Sequence, residues 1–228
     1  MPIVKHNLVF LFDVDNTLLD NDRVTAELKQ HLANKAGHAM QQRYWEIFED
    51  LRNELGYADY LGALQRYRVE HPRDPHLLAV SYFLVNYPFA HRLFPNALNA
   101  VEHAKQRGPA VILSDGDVVF QPRKVERSGL LDAVDGALIY IHKELELEDV
   151  EQRYPARHYV LVDDKLRILS AVKEAWGDRV TTVFARQGHY ALDPQVTAKY
   201  PAADITIERI GDFMEYELPA FSPEYAAN

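Results

Sequence analysis

The chain has 228 residues, enough to bury one large α/β core or a core carrying a smaller inserted module. With 47% apolar and 26% charged residues it has ordinary globular composition, which excludes a disordered or fibrous chain. A formal net charge of −9 with no Lys/Arg-rich run disfavours a nucleic-acid polymer as partner, and the lack of cysteine excludes thiol catalysis, disulfides and cysteine-bearing metal sites.

Leu8-Val9-Phe10-Leu11-Phe12 is an unbroken apolar run, as expected of a strand covered on both faces. It is too short, and too soon followed by Asp13 and Asp15, for a signal peptide or a membrane span, so the expected setting is cytoplasmic with no membrane contact. From about residue 24 to residue 87 no strand pattern occurs. Tyr44, Phe48, Leu51 and Leu55 share one helical face; Tyr60, Leu61, Leu64 and Tyr67 share another; residues 77–87 form a third apolar segment stopped by Pro88. More than sixty residues is long for a crossover connection. The segment therefore reads as a helical module, residues 21–90, inserted into a core made of residues 1–20 and 91–228.

The remaining chain alternates. Residues 95–107 open on Pro95 and stop at Gly108, the asymmetry of helix start and stop signals. Apolar runs follow at 110–113, 137–141, 159–162 and 180–184, with a weaker one at 205–207, and a helix over 165–176 ends at Gly177. Strands alternating with helices predict an α/β fold, a Rossmann-like parallel sheet core flanked by helices, beside the smaller all-helical module.

Chemistry-bearing residues stand at the ends of these runs, where a parallel sheet faces its ligand crevice. Asp13 and Asp15, followed by Asn16 and Thr17, end the first run. Two acids so close repel unless a cation lies between them, although an acidic loop with Asp15 or Asn16 capping a helix explains the same residues. Ser114 and Asp115 end the second strand run, where a hydroxyl and backbone N–H groups can hold phosphate oxygens, or where Ser-Asp-Gly simply makes a turn. Asp163 and Asp164 end the fourth, where two acids at a buried strand tip call for a positive partner or a helix to cap. Lys143 follows the third run; Lys124 and Lys165 are alternatives for its place. The histidines show no zinc-ligand spacing.

The order apolar strand/Asp13-Val14-Asp15-Asn16-Thr17, apolar strand/Ser114, Lys143, apolar strand/Asp163-Asp164 resembles the four-motif pattern of the haloacid dehalogenase superfamily, over residues 8–213. The helical insertion between the first two motifs is similar to that superfamily's mobile cap. Lys143 lacks the proline that often follows it in relatives. The resemblance implies Asp13 as a nucleophile forming an aspartyl-phosphate and Asp15 as general acid, then general base. It implies Ser114, Asp115, Lys143 and Thr17 around the phosphoryl group, with Thr17 also orienting Asp15. It further implies Mg2+ held by Asp13, the Asp15 backbone carbonyl and Asp164, with Asp163 a weaker or indirect ligand. Mg2+ and Lys143 answer how an acidic protein gathers positive charge for phosphate. An acid at Asp15 points to oxygen-ester phosphates, because halide leaves unprotonated. The expected partner is a small phosphorylated metabolite. A phosphomutase or phosphotransferase using the same nucleophile, and a non-catalytic phospholigand-binding protein, stay open. Arg43, Tyr44, Trp45, residues 86–89 and residues 186–190 are candidates for the substrate side.

Overall fold

The computed structural model describes residues 5–216. Six parallel strands form one sheet in the order β3-β2-β1-β4-β5-β6. They are β1 (His6–Phe12), β2 (Ala110–Asp115), β3 (Gly136–Tyr140), β4 (Ala156–Asp163), β5 (Val180–Ala185) and β6 (Ile205–Ile207). Each apolar run of the sequence is a strand. The alternating side chains of β1 explain why its run is unbroken. Phe10 and Phe12 enter one hydrophobic cluster, while Val9 and Leu11 enter the other on the opposite face.

Three helices lie between β1 and β2: α1 (Asn21–Leu55), α2 (Tyr60–Glu70) and α3 (Leu77–Asn86). Asp20 and Asp59 cap the first two by accepting from Arg23 N and Gly62 N. α1 breaks at Gly37, whose φ of 86° and ψ of 163° leave the helical region, and it ends at Gly56 in the left-handed conformation. The predicted faces are those that pack: Tyr44, Phe48 and Leu51 on α1, and Tyr60, Leu64 and Tyr67 on α2, are buried. They join one cluster that continues through Phe89 and Phe120 to Phe12 of the sheet.

The core continues with α4 (Ala97–Lys105), α5 (Phe120–Ser128), α6 (Leu130–Ala133), α7 (Leu147–Arg153), α8 (Leu166–Trp176), α9 (Gly188–Leu192) and α10 (Pro194–Thr197). α4 starts two residues later than Pro95 predicts, because Asn96 adopts a left-handed φ of 65° that a helix cannot include. No helix among the described residues is long and apolar enough to cross a membrane. Strand order reverses direction beside β1, so the tips of β1 and β4 open the crevice in which such sheets place ligands.

Candidate active site

Asp13 continues the β1 line, its N–H donating to Val162 O at 3.0 Å, which brings the tips of β1 and β4 together. The chain then turns tightly, with the N–H groups of Thr17, Leu18 and Leu19 all donating to Val14 O. Asn16 takes a left-handed φ of 60°, and its side-chain oxygen accepts from Asn21 N and Asp22 N, tying the turn to the start of α1. Gly188 packs against Asn16 so closely that a Cβ there would lie 2.5 Å from its side chain. Gln187 donates to Thr17 O at 2.9 Å, so the segment after β5 holds this turn from the other side.

Asp13, Asp163 and Asp164 are buried and offer carboxylate oxygens within 4.8 Å of one another. Lys143, fully buried, places Nζ 2.5 Å from Asp13 Oδ1, 2.6 Å from Asp163 Oδ2 and 3.2 Å from Leu113 O. Burial opposes its charge, yet Asp13, Asp163 and Asp115 together hold the ammonium above the ordinary lysine range. Of the three lysines left open by the sequence, Lys143 is the one that contacts Asp13. Ser114 Oγ approaches Asp13 Oδ1 at 3.4 Å and accepts from Gln121 Nε2 at 3.0 Å.

The second oxygen of Asp163 accepts from Lys165 N at 2.8 Å, so both of its oxygens are engaged. Asp164 differs: both its carboxylate oxygens are buried and neither has a hydrogen-bond partner among the described residues. Burial first, then Asp163 and Asp13, push its carboxyl well above the usual carboxylate range, against the pull of Lys165. A carboxylate left in this position is costly unless a cation joins it. An all-oxygen set of this kind suits a hard divalent ion such as Mg2+. The residues therefore fit the metal.

Three of the expected site residues have side-chain partners that the sequence did not name. The Asp15 side chain stands apart from the cluster of Asp13, Asp163 and Asp164: Lys124, fully buried on α5, holds its two oxygens at 2.6 and 2.8 Å, which agrees with assigning only the Asp15 backbone carbonyl to a metal. The Asp115 carboxylate accepts from Lys143 N at 2.8 Å and anchors the loop that carries Lys143, so any hold of this residue on a phosphoryl group falls to its backbone. The Thr17 hydroxyl reaches Asp13 Oδ2, at 3.4 Å, rather than Asp15.

A cavity of about 590 Å³ opens between the strand tips and α1, and Asp15, Asp164, Lys124 and Lys165 belong to its lining. Of the substrate-side candidates, Trp45, His189 and Tyr190 line it. Arg43 instead forms a bidentate pair with Glu70 at 2.7 Å, Tyr44 donates to Tyr60 O inside the helical module, and Tyr87 donates to Glu27. Sequence reasoning missed Gln121 and the role of Lys124. The available signal was a Gln and a Lys three apart on the face of α5 that also carries Phe120 and Val125, both buried.

The family model for haloacid dehalogenase-like hydrolases matches residues 8–175. The chain belongs to the haloacid dehalogenase-like hydrolases. Comparison with curated proteins gives no match. Among solved structures, a chain from Burkholderia xenovorans LB400 described as a haloacid dehalogenase-like hydrolase is 65% identical, with a TM-score of 0.90, covering 93% of this chain and 100% of its own. The HAD-hydrolase YfnB from Bacillus subtilis, bound to magnesium, is 16% identical with a TM-score of 0.60, covering 92% of this chain and 98% of its own. L-2-haloacid dehalogenase from Xanthobacter autotrophicus is 18% identical with a TM-score of 0.59, covering 91% and 96%. These last two likenesses are of fold, and this family member's chemistry rests on its own side chains.

Proposed function

We propose that this hydrolase cleaves small phosphate monoesters through an aspartyl-phosphate on Asp13, with Mg2+ as cofactor. The observation that carries this reading is a second carboxylate, Asp15, two residues after Asp13 and locked by Lys124 beside the cavity. A departing alkoxide requires a proton, whereas a halide does not.

In the first half-reaction an Asp13 carboxylate oxygen forms a bond to phosphorus as the bond to the ester oxygen breaks in line. Asp15 gives its proton to that departing oxygen; an approaching phosphate dianion favours a proton on the carboxyl. In the second, water attacks phosphorus, its proton passes to Asp15, and the bond to Asp13 breaks to free the carboxylate and inorganic phosphate. Lys143 and Ser114 stabilise the charge gathered at Asp13 and the phosphoryl oxygens. Asp13, Asp164 and the Asp15 backbone carbonyl would hold Mg2+, which supplies charge neutralisation for the phosphoryl group when bound. Asp163, with both oxygens engaged, stays outside the ligand set and fixes Lys143. Residues 21–90 act in this reading as a cap over the site.

The test is a panel of phosphate monoesters and 2-halo acids with and without Mg2+, read by phosphate and halide release. Phosphate release that depends on Mg2+ supports the reading; halide release with no phosphate release sinks it. Phosphorus NMR with an added sugar acceptor separates hydrolysis from transfer, since inorganic phosphate as the main product excludes a mutase or phosphotransferase.

A further inference from the structure

Two cations on α1 face the cavity with little to balance them. Lys29 is half-buried, lines the cavity and has no carboxylate within ion-pair distance among the described residues; its ammonium lies 4.3 Å above the Trp45 ring. Arg52, at the last turn of α1, has one long contact of 3.4 Å to Glu49, and its guanidinium stands 5.4 Å from the centre of the Tyr190 ring. Lys165, next to Asp164, approaches the same ring at 5.7 Å. Tyr190 thus links the acidic cluster at the strand tips to the cationic wall of α1. Two acids of α1 line the cavity: Glu49, which makes the long contact to Arg52, and Asp22, which is committed to the His189 N–H and ring and to Asn16. Elsewhere on α1 arginines are paired closely, as Arg43 is with Glu70 at 2.7 Å and Arg23 with Glu27 at 2.9 Å.

A half-buried ammonium parked on a ring face, in a protein of net charge −9, is stabilised less than it would be by an anion. We propose that the cavity selects phosphomonoesters bearing a second anionic group, a carboxylate or another phosphate, and that Lys29 and Arg52 hold that group while its ester phosphate lies at Asp13. The proposal rests on the phosphatase reading and narrows its substrate class. Trp45 and Tyr190 flank the cations and supply apolar faces for the carbon chain between the two anions.

The experiment is calorimetric binding of carboxyalkyl phosphonates of graded length to the full chain with Mg2+, against alkylphosphonates of matched length and against bisphosphonates. Phosphonates are not phosphate esters, so the readout does not depend on turnover. At the best length the second anion is expected to tighten binding roughly tenfold. Lys29→Met and Arg52→Met should each reduce that ratio and the double variant should bring it to about one, while Arg43→Met, on a paired surface arginine, keeps it. The better of the carboxylate and bisphosphonate series identifies which anion the site takes. Equal binding of charged and uncharged tails at every length, or a ratio that survives the double variant, overturns this proposal and leaves the phosphatase reading standing. Failure of every phosphonate to bind overturns both.

Discussion

The ammonium of Lys124 lies 2.6 and 2.8 Å from the two carboxylate oxygens of Asp15, although 109 residues separate them in sequence. The same nitrogen donates to Asn21 at 3.1 Å, so one buried lysine joins the core helix α5, the turn after β1 and the start of α1. In the proposed mechanism this pair sets the carboxyl that handles the leaving-group proton. Lys124→Met is expected to lower kcat for alkyl phosphates by about 100-fold or more, the scale of general acid catalysis. The loss should shrink for p-nitrophenyl phosphate, whose leaving group needs little protonation. Equal losses across a series of leaving groups, with the melting temperature unchanged, would refute this positioning role.

Asp13→Asn retains shape and volume but removes the nucleophile. Turnover should fall by at least about 1,000-fold, and mass spectrometry after rapid quench should find no phosphoryl adduct. Because the change also removes a charge from the buried cluster around Lys143, circular dichroism must accompany the assay. Wild-type activity in a folded Asp13→Asn protein contradicts covalent catalysis at this residue.

Asp164 gives a test of the metal that needs no substrate. Without divalent ions, Asp164→Asn replaces a buried carboxylate lacking hydrogen-bond partners by a neutral amide, and is expected to stabilise the fold by about 1–3 kcal/mol. Added Mg2+ should raise the melting temperature of the wild type and leave that of the variant nearly unmoved. A Mg2+-induced rise of the same size in both proteins removes Asp164 from the ligand set.

His158 predicts a pH dependence of stability. Burial, then the Lys173 ammonium, lower its pKa below the ordinary 6.5, and its Nε2 lies 2.9 Å from Thr181 Oγ1. The unfolded chain therefore binds a proton near pH 6.5 before the folded one does. The His158 contribution is complete above pH 6.5 and is lost as pH falls from there through the lower folded-state value. His158→Gln should flatten this part of the curve, read as the difference in melting temperature between wild type and variant across pH 7.5 to 5. A difference that stays constant with pH counts against the assignment.

Gly188 has a φ of 74°, and a Cβ there would meet the Asn16 side chain at 2.5 Å. Gly188→Ala is expected to cost about 1–3 kcal/mol in urea unfolding, the usual scale of enforced left-handed strain. Because Asn16 orders the start of α1, KM should rise as well. An unchanged unfolding midpoint would show that the Asn16 turn yields without penalty.

The residues that make up the buried cluster at the strand tips were readable because apolar strands end in polar tips. Asp13, Ser114 and Asp163-Asp164 each close an unbroken apolar run, and a parallel sheet necessarily brings such ends to one edge. Lys143 needed the resemblance for its choice over Lys124 and Lys165, since nothing in its local sequence distinguishes a buried lysine from a solvated one. Thr17 was placed in the right neighbourhood with Asp15 rather than Asp13 as its partner, and the bond from Lys143 N to the Asp115 carboxylate was not foreseen. Their short side chains are steered by backbone turns that local sequence underdetermines.

By itself, then, the sequence determined the six strands, the helical segment between the first two and the acids at their tips, because these follow from periodicity and chain direction. Only the tertiary structure decided which charge pairs with which: Lys124 with Asp15, Lys143 with both Asp13 and Asp163, and Asp164 with no hydrogen-bonding group among the described residues. Ion pairing depends on distances of a few ångströms between segments up to 130 residues apart, and those distances exist only once the sheet has twisted and the helices have packed on it.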